Sequence, residues 1–437
     1  MQLETLTRRM VELGVTRLYA KPLSPNDNSK NQVYLGGGFG VLNVLPADAP
    51  RATTSGSHAA PIFTAGVDLW WIGDEGAAHR APTAQLILYP QYPEVRHSGF
   101  LKSATGAPKA VMRSREAGRI MLYGVTANGR VYAYAAFCNH PVAKALSDLT
   151  QLEAVGVLRR VPLPEEKPDS RTRLLNELCR ISREGWITPW RLKPDGSRAP
   201  CRGVNCGGVT LESELGILAN GRSDPDFDGW EVKSHTVPNL QRPYSGVLTL
   251  LTPEPNGGYY VDNGVEAFVR RFGYTDRNGR EDRLNFGGIH KVGSTTQITG
   301  LRLELAGFDV ASGKLTDSSG ALLLLSNDDE VAASWSFVGL LAHWARKHAK
   351  AVYVPAEKTA DGEPLYRYGA RLSCAEGSDY TRLLSAMASG RVYLDPGIKL
   401  ENASGDAKVK RRNQFRVKFA DLGYLYHNTY EIDACHC

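Results

Sequence analysis

The sequence predicts an α+β protein of two parts: a mostly β amino-terminal domain over residues 1–160, a linker at 161–171, and a mixed α/β carboxy-terminal domain over 172–437. Three observations lead there. A chain of 437 residues exceeds one ordinary core. Its first third is rich in glycine, aromatics and short alternating apolar stretches, the mark of strands joined by turns. Beyond a charged, proline-rich break, strand-like runs alternate with helical spacing, which indicates mixed layers.

Taken in order, VYLGGGFGVLNVL, AQLILYPQYPEV and RIMLYGVTANGRVYAYAAF read as strands, and in the last of these Ala127, Asn128 and Gly129 mark a turn between two β runs. VPLPEEKPDSR, residues 161–171, carries three prolines and buries little, so the linker is placed there. Ser170 then caps a helix in which Leu174, Leu175, Leu178 and Ile181 recur at helical spacing. TLESELGILANG reads as a second helix closed by Gly221, and GWEVKSHTV as a strand. ALLLLSN is a buried strand, SFVGLLAHWARKHAK an amphipathic helix, and AVYVPAE a further strand.

Composition narrows the function classes. The 42% hydrophobic and 22% charged fractions are those of a globular protein rather than a disordered one. A formal charge of +6 suits an acidic partner such as DNA, and by itself equally suits an ordinary surface. No apolar run reaches the roughly 18 residues a membrane span needs, and MQLETLTRRM lacks a secretory apolar stretch, so no membrane partner and a cytoplasmic location are expected. Seven scattered cysteines without an export signal are read as reduced thiols. A zinc site from Cys201, Cys206, Cys435, His436 and Cys437 is the lesser alternative, because the Cys201 to Cys206 gap is loose for a metal knuckle.

The chemistry concentrates in SDPDFDGWEVKS, residues 223–234. On a strand, Glu231 and Lys233 share one face while Trp230 and Val232 share the other. Ionised groups backed by aromatic and aliphatic residues are costly unless paired or holding a metal. Asp226, beyond a glycine-containing bend, brings a second carboxylate to the same place. Phosphodiester hydrolysis needs charge neutralised on the phosphate and a hydroxide-like nucleophile. Asp226 and Glu231 are oxygen ligands suited to Mg²⁺, and Lys233 is a point cation for the water and the phosphate. A bare Glu-x-Lys is also an ordinary surface pair, and the preceding helix with Glu212 and Glu214 is what weighs against that here.

The run GGVTLESELGILANGRSDPDFDGWEVKS resembles the catalytic block of the MvaI and BcnI restriction enzymes and is similar to that of the MutH mismatch-repair nickase. The resemblance implies a PD-(D/E)xK nuclease fold in the second domain. It also implies Glu212 near the metal site, Asp226 and Glu231 as metal ligands, and Lys233 assisting the water. Glu214 reads as a solvent-facing helix residue. Near the chain end, GRVYLDPGIKLE and VKRRNQFRVKF resemble the family's recognition region. Lys408, Lys410, Arg411, Arg412, Arg416 and Lys418 fall there without an acid among them, a pattern for phosphates and guanine edges or for a solvated basic loop. Lys399, Arg411, Arg412 and Arg416 are the DNA-contacting candidates, with base contacts left undivided among them.

RLYAKPLSPNDNSKNQVYLGG (17–37) and YPEVRHSGFLKSATGAPK (92–109) resemble the effector domain of EcoRII, an open β pseudobarrel of the plant B-three transcription-factor type. The types present suit base edges and phosphates: Lys21, Ser24, Asn26, Asp27, Asn28 and Lys30 in one stretch, Arg96, His97, Lys102 and Lys109 in the other. Asn, Asp and Ser also favour plain turns. Together the resemblances imply a Type II, Type IIE-like, Mg²⁺-dependent restriction endonuclease for double-stranded DNA. The implied enzyme cuts within CCWGG as a monomer, one strand at a time, with the amino-terminal domain engaging a second copy of the site. A MutH-like repair nickase and a DNA-binding regulator with a vestigial nuclease fold are the alternatives. The extra reader domain argues against the first, and retention of Asp226, Glu231 and Lys233 against the second.

Overall fold

Burial on both faces organises the first unit. Ile120–Thr126 and Val131–Ala136 pair antiparallel, from Val131 opposite Val125 to Ala136 opposite Ile120, and the second strand is buried throughout. Gly129, at φ 85°, supplies the left-handed residue that their connection needs. A computed structural model describes residues 1–25, 31–37, 40–53, 62–89, 94–149, 152–164, 170–203, 205–218, 226–227, 229–317, 319–348 and 350–436. They form two units, Met1–Lys167 and Pro168–Cys437, dividing within the proline-rich 161–171 segment.

In the first unit the hairpin lies inside a seven-stranded sheet in the order Ala154–Val155, Leu158–Val161, Val15–Pro22, Ile120–Thr126, Val131–Ala136, Leu69–Ile72, Ala78–Ala81. A five-stranded sheet runs Val33–Gly37, Glu94–Ser98, Gln85–Tyr89, Ile62–Gly66, Arg51–Thr53. Among the helices of this mostly β unit that the strand-centred reading passes over, two pack together. Leu6 and Met10 of Leu3–Glu12 pack with Val142 and Leu146 of Pro141–Asp148 and with Leu18 and Leu122 beneath them. The sequence does signal the second helix: His140 accepts the Val142 N–H as cap, and Pro141 stands at the first helical position.

The second unit is built on a sheet that mixes directions. Glu231–Thr236 runs parallel to Lys350–Lys358, with Glu231 beside Ala351 and Lys233 beside Tyr353; Arg371–Glu376 and Asn428–Asp433 follow antiparallel, and Tyr366–Tyr368 also pairs with Lys350–Lys358. Against one face lie the helices Ser170–Arg183 and Cys206–Glu214. Leu174, Leu178, Ile181 and Leu211 share a core with Trp230, Val232, Val352 and Val354. Helix Phe337–Lys347 is capped by Ser336, whose hydroxyl accepts the Gly339 N–H at 3.2 Å.

Two readings need correction. Helix Cys206–Glu214 starts before Thr210 and ends ahead of Gly216, not at Gly221, which lies outside the described residues. Gly216 takes φ 73°, and the Ile217 N–H closes back on the Glu212 carbonyl at 2.8 Å, so the earlier glycine terminates the helix. The cysteines are not all reduced. Cys179 is bonded to Cys435, 256 residues away, and Cys201 to Cys206, so these four are not zinc-binding thiolates either. Sequence distance hides the first pair because only the fold brings its Cα atoms to 5.0 Å.

Between the core strands the chain carries more sheet than the sequence suggests. Strands Val247–Leu251, Phe415–Lys418 and Val392–Leu394 form one small sheet. A second contains Tyr274–Thr275, Arg283–Gly287, Gly397–Glu401 and Lys408–Lys410, and a third contains Thr295–Thr296, Leu301–Ala306, Ala321–Leu325 and Val331–Ser336. Of these, Ala321–Leu325 lies in the ALLLLSN run read as a strand, whereas two-residue strands such as Tyr274–Thr275 and Thr295–Thr296 are too short to show alternation.

Candidate active site

A tight hairpin sets the geometry of the acidic residues. Phe227 and Trp230 exchange both backbone hydrogen bonds, at 2.9 and 2.8 Å, across a connection in which Gly229 has φ 90°. In such a pair the next residues out stand opposite one another with side chains on the same side, which sets Asp226 across from Glu231. One oxygen of Asp226 accepts the Val232 N–H at 3.1 Å, holding that carboxylate against the strand. Trp230 and Val232 face the helical core, 1% and 4% exposed, and so turn Glu231 and Lys233 to the other side.

On that side Lys233 Nζ donates to Glu231 Oε1 at 3.0 Å, with side chains 17% and 4% exposed. His235 follows at the next position of the same face, and strand alternation could have singled it out. Its Nε2 donates to the Pro243 carbonyl at 2.7 Å, since a carbonyl can only accept, and burial pulls its pKa down, so the ring is neutral. It lies 5.1 Å from the ring of Phe419. Tyr353, beside Lys233 on the neighbouring strand, bonds Tyr426 at 2.9 Å, and Tyr426 bonds His348 Nδ1 at 3.0 Å. Burial raises both phenols' pKa values, and the nearby Glu231 charge adds to it, so an aromatic hydroxyl cluster backs the carboxylate. Nothing in local sequence signals this cluster, because its members lie on three separate segments.

The helix glutamates separate by neighbours. Glu214 accepts the Trp190 indole N–H at 2.6 Å, while Trp190 also stacks under Arg198 at 4.1 Å. That is a structural post. Glu212, part-buried, follows Leu211, whose side chain packs in the core with Trp230 and Val232.

Of the basic residues near the chain end, Lys399, Lys410 and Arg416 lie on strands, and Arg411 and Arg412 lie between the last two of these. Lys399 stands opposite Lys410, which pairs with Glu401 at 2.9 Å. Arg411 and Arg412 are exposed, and Arg416 is held by Asp395 at 2.5 Å, an anchor the sequence reading missed. In the first unit Arg96 pairs with Glu94 at 2.9 Å and reaches Gln32 at 3.3 Å, while Ser24, Lys102 and Lys109 are exposed. His97 and Lys21 face inward. His97 is 1% exposed and bonded to the Tyr123 hydroxyl at 3.0 Å, and burial pushes its pKa down to about 3. Lys21 is 9% exposed, donates to the Pro22 carbonyl at 2.8 Å, and has its pKa lowered by burial. Asn26, Asp27, Asn28 and Lys30 lie outside the described residues.

Two carboxylates set across a hairpin, beside an ammonium group, suit a hard cation that takes oxygen ligands. Among the described residues no three His, Cys, Asp or Glu side chains gather in a group that could hold a metal ion. No helix among the described residues is long and apolar enough to cross a membrane.

The profile of the MvaI/BcnI restriction endonuclease family matches residues 175–426. Among solved structures, restriction endonuclease MvaI in complex with its cognate DNA is 17% identical, with a TM-score of 0.46, over 61% of this chain and 99% of that one. MvaI in the absence of DNA is 16% identical, with a TM-score of 0.33, over 62% and 100%. The B3 domain of UbaLAI restriction endonuclease with cognate DNA is 16% identical, with a TM-score of 0.23, over 36% and 96%. No curated protein matches the chain.

Proposed function

Because the chain belongs to the MvaI/BcnI restriction endonuclease family and is thus a site-specific deoxyribonuclease, we propose that Asp226, Glu231 and Lys233 form its hydrolytic centre and that Mg²⁺ is its cofactor. What supports this reading is the hairpin that holds the Asp226 carboxylate 3.1 Å from the Val232 N–H, next to the strand on which Lys233 Nζ lies 3.0 Å from Glu231. Enzymes of this family generally use a divalent metal ion. Bound there, the ion supplies Lewis acidity that favours a hydroxide-like nucleophile and offsets charge on the phosphate.

The chain's own residues divide the remaining work. Asp226 and Glu231 hold the cation by oxygen, the hairpin fixing their separation and the Val232 N–H orienting Asp226. Lys233 turns from Glu231 to the scissile phosphate, where its ammonium orients the attacking water and stabilises charge that grows on the phosphoryl oxygens. Glu212 supports the metal site from the adjoining helix. Tyr353 and Tyr426 back Glu231 and keep bulk water from its buried side.

DNA is held by Lys399, Arg411, Arg412 and Arg416 in the catalytic unit. In the first unit Ser24, Asn26, Asp27, Asn28, Lys30, Arg96, Lys102 and Lys109 engage a second copy of the site, while the inward-facing Lys21 and His97 serve structure. The enzyme acts on CCWGG as a monomer that cuts the strands in sequence. To test this, plasmid and phage DNA are incubated with the protein in Mg²⁺ and in EDTA, and the ends are sequenced. Discrete fragments ending within CCWGG, formed only with Mg²⁺, are expected. Cutting in EDTA removes the metal reading, and ends at unrelated sequences remove the CCWGG assignment.

A further inference from the structure

Between the exposed Arg412 and the part-buried Arg416 sits a polar residue that points the wrong way for a DNA contact. Asn413 is 3% exposed. Its Nδ2 donates to Glu254 Oε1 at 3.2 Å and to the Tyr260 hydroxyl oxygen at 3.3 Å, and that hydroxyl donates to the other Glu254 oxygen. Burial, and then Glu254, raise the Tyr260 pKa, so the phenol stays protonated and can donate. All three groups are therefore matched donor to acceptor.

Around Asn413 the chain is extended. The Asp395 N–H donates to the Gln414 carbonyl and the Gly397 N–H to the Arg412 carbonyl, both at 2.8 Å. Side chains in such a segment alternate. Asn413, Phe415 and Val417 point inward at 3%, 1% and 0% exposure, which turns Arg412, Gln414, Arg416 and Lys418 outward. A slip of one residue would exchange the rows and bury the basic side chains. Phe415 and Val417 supply burial but little registry, since one apolar residue substitutes readily for another. An amide that needs both Glu254 and Tyr260 accepts only one register.

We propose that Asn413, clamped by Glu254 and Tyr260, is a positioning residue that fixes the register of the outward basic row and thereby sets base discrimination. This rests on the reading that the row contacts DNA. Asn413→Leu retains volume and burial while removing the donor, Tyr260→Phe removes one partner, and Arg412→Ala/Arg416→Ala tests the row itself. Each full-length variant is compared with the parent on short duplexes containing CCAGG or CTAGG. Binding is followed by fluorescence anisotropy in EDTA, cleavage by steady-state kinetics in Mg²⁺, and folding by thermal melting.

The expected result is that Asn413→Leu melts near the parent but loses about tenfold in CCAGG over CTAGG discrimination, the scale of one charge-assisted hydrogen bond, with KM moving more than kcat. Tyr260→Phe falls between the two, and carries the test if the leucine variant does not fold. Unchanged discrimination in both, with binding lost in the double arginine variant, overturns the clamp and leaves the DNA reading standing. Unchanged binding in the double arginine variant as well overturns both.

Discussion

Replacing Lys233 by alanine separates chemistry from binding. In the structure the ammonium stands 3.0 Å from Glu231, whose side chain is 4% exposed. Coulomb attraction at that separation in an effective dielectric of about 20 is roughly 5 kcal/mol before desolvation is counted. Breaking a buried pair by removing one partner typically costs about 3–5 kcal/mol. Lys233 keeps 17% of its side-chain surface. The expected loss of stability without metal is therefore about 2–3 kcal/mol. Mg²⁺ restores part of it, since a cation at Glu231 replaces the lost one and no longer competes with lysine. Cleavage falls by at least about 10³-fold, the scale of removing one preorganised charge from a transition state. DNA affinity in EDTA stays within about threefold of the parent, because the residue is asked to act on the water and phosphoryl oxygens more than on the duplex. Single-turnover plasmid cleavage, anisotropy and melting with and without Mg²⁺ measure the three quantities. A Lys233→Ala enzyme that cuts at the parental rate refutes the assignment, and a melting deficit that Mg²⁺ deepens refutes the electrostatic account.

Glu212→Ala should slow cleavage by more than about tenfold while Glu214→Gln, which keeps an acceptor for the Trp190 indole, stays within about threefold; equal losses would erase the distinction between them. His97 has a folded pKa of about 3 and an ordinary value of 6.5, so below pH 6.5 the unfolded chain takes up the proton first. Its contribution is complete above that pH and is lost as pH falls toward 3, by about 1.4 kcal/mol for each unit, and His97→Asn should flatten the acid limb of the denaturant-measured stability curve. An unchanged acid limb would show that His97 is not the group responsible. Reduction of the Cys179–Cys435 bond opens a 256-residue separation, which lowers stability by about 5–6 kcal/mol in chain-entropy terms and should appear as a lower melting temperature in dithiothreitol. Denatured, unreduced protein should then show no more than three of its seven thiols, and seven titrating would disprove both bonds. Arg96→Ala should weaken DNA binding by a metal-free route; unchanged affinity for duplex would argue against a contact there.

The sequence determined what could be read at short range. Alternation in GWEVKSHTV gave one face to Trp230 and Val232 and the other to Glu231 and Lys233, because a strand has a period of two whatever it packs against. The division between the two units falls within the 161–171 segment, whose three prolines are legible in the chain without any partner. Only the tertiary structure decided which polar residues face inward. His97 and Asn413 resemble surface ligands in the chain, yet Tyr123 and the Glu254–Tyr260 pair draw them inside, and those partners are distant in sequence. The same holds for Cys179 and Cys435, and for Tyr353, Tyr426 and His348 behind the carboxylate. A backbone period is a property of neighbouring residues, whereas burial and partnership depend on which strands fold back against one another.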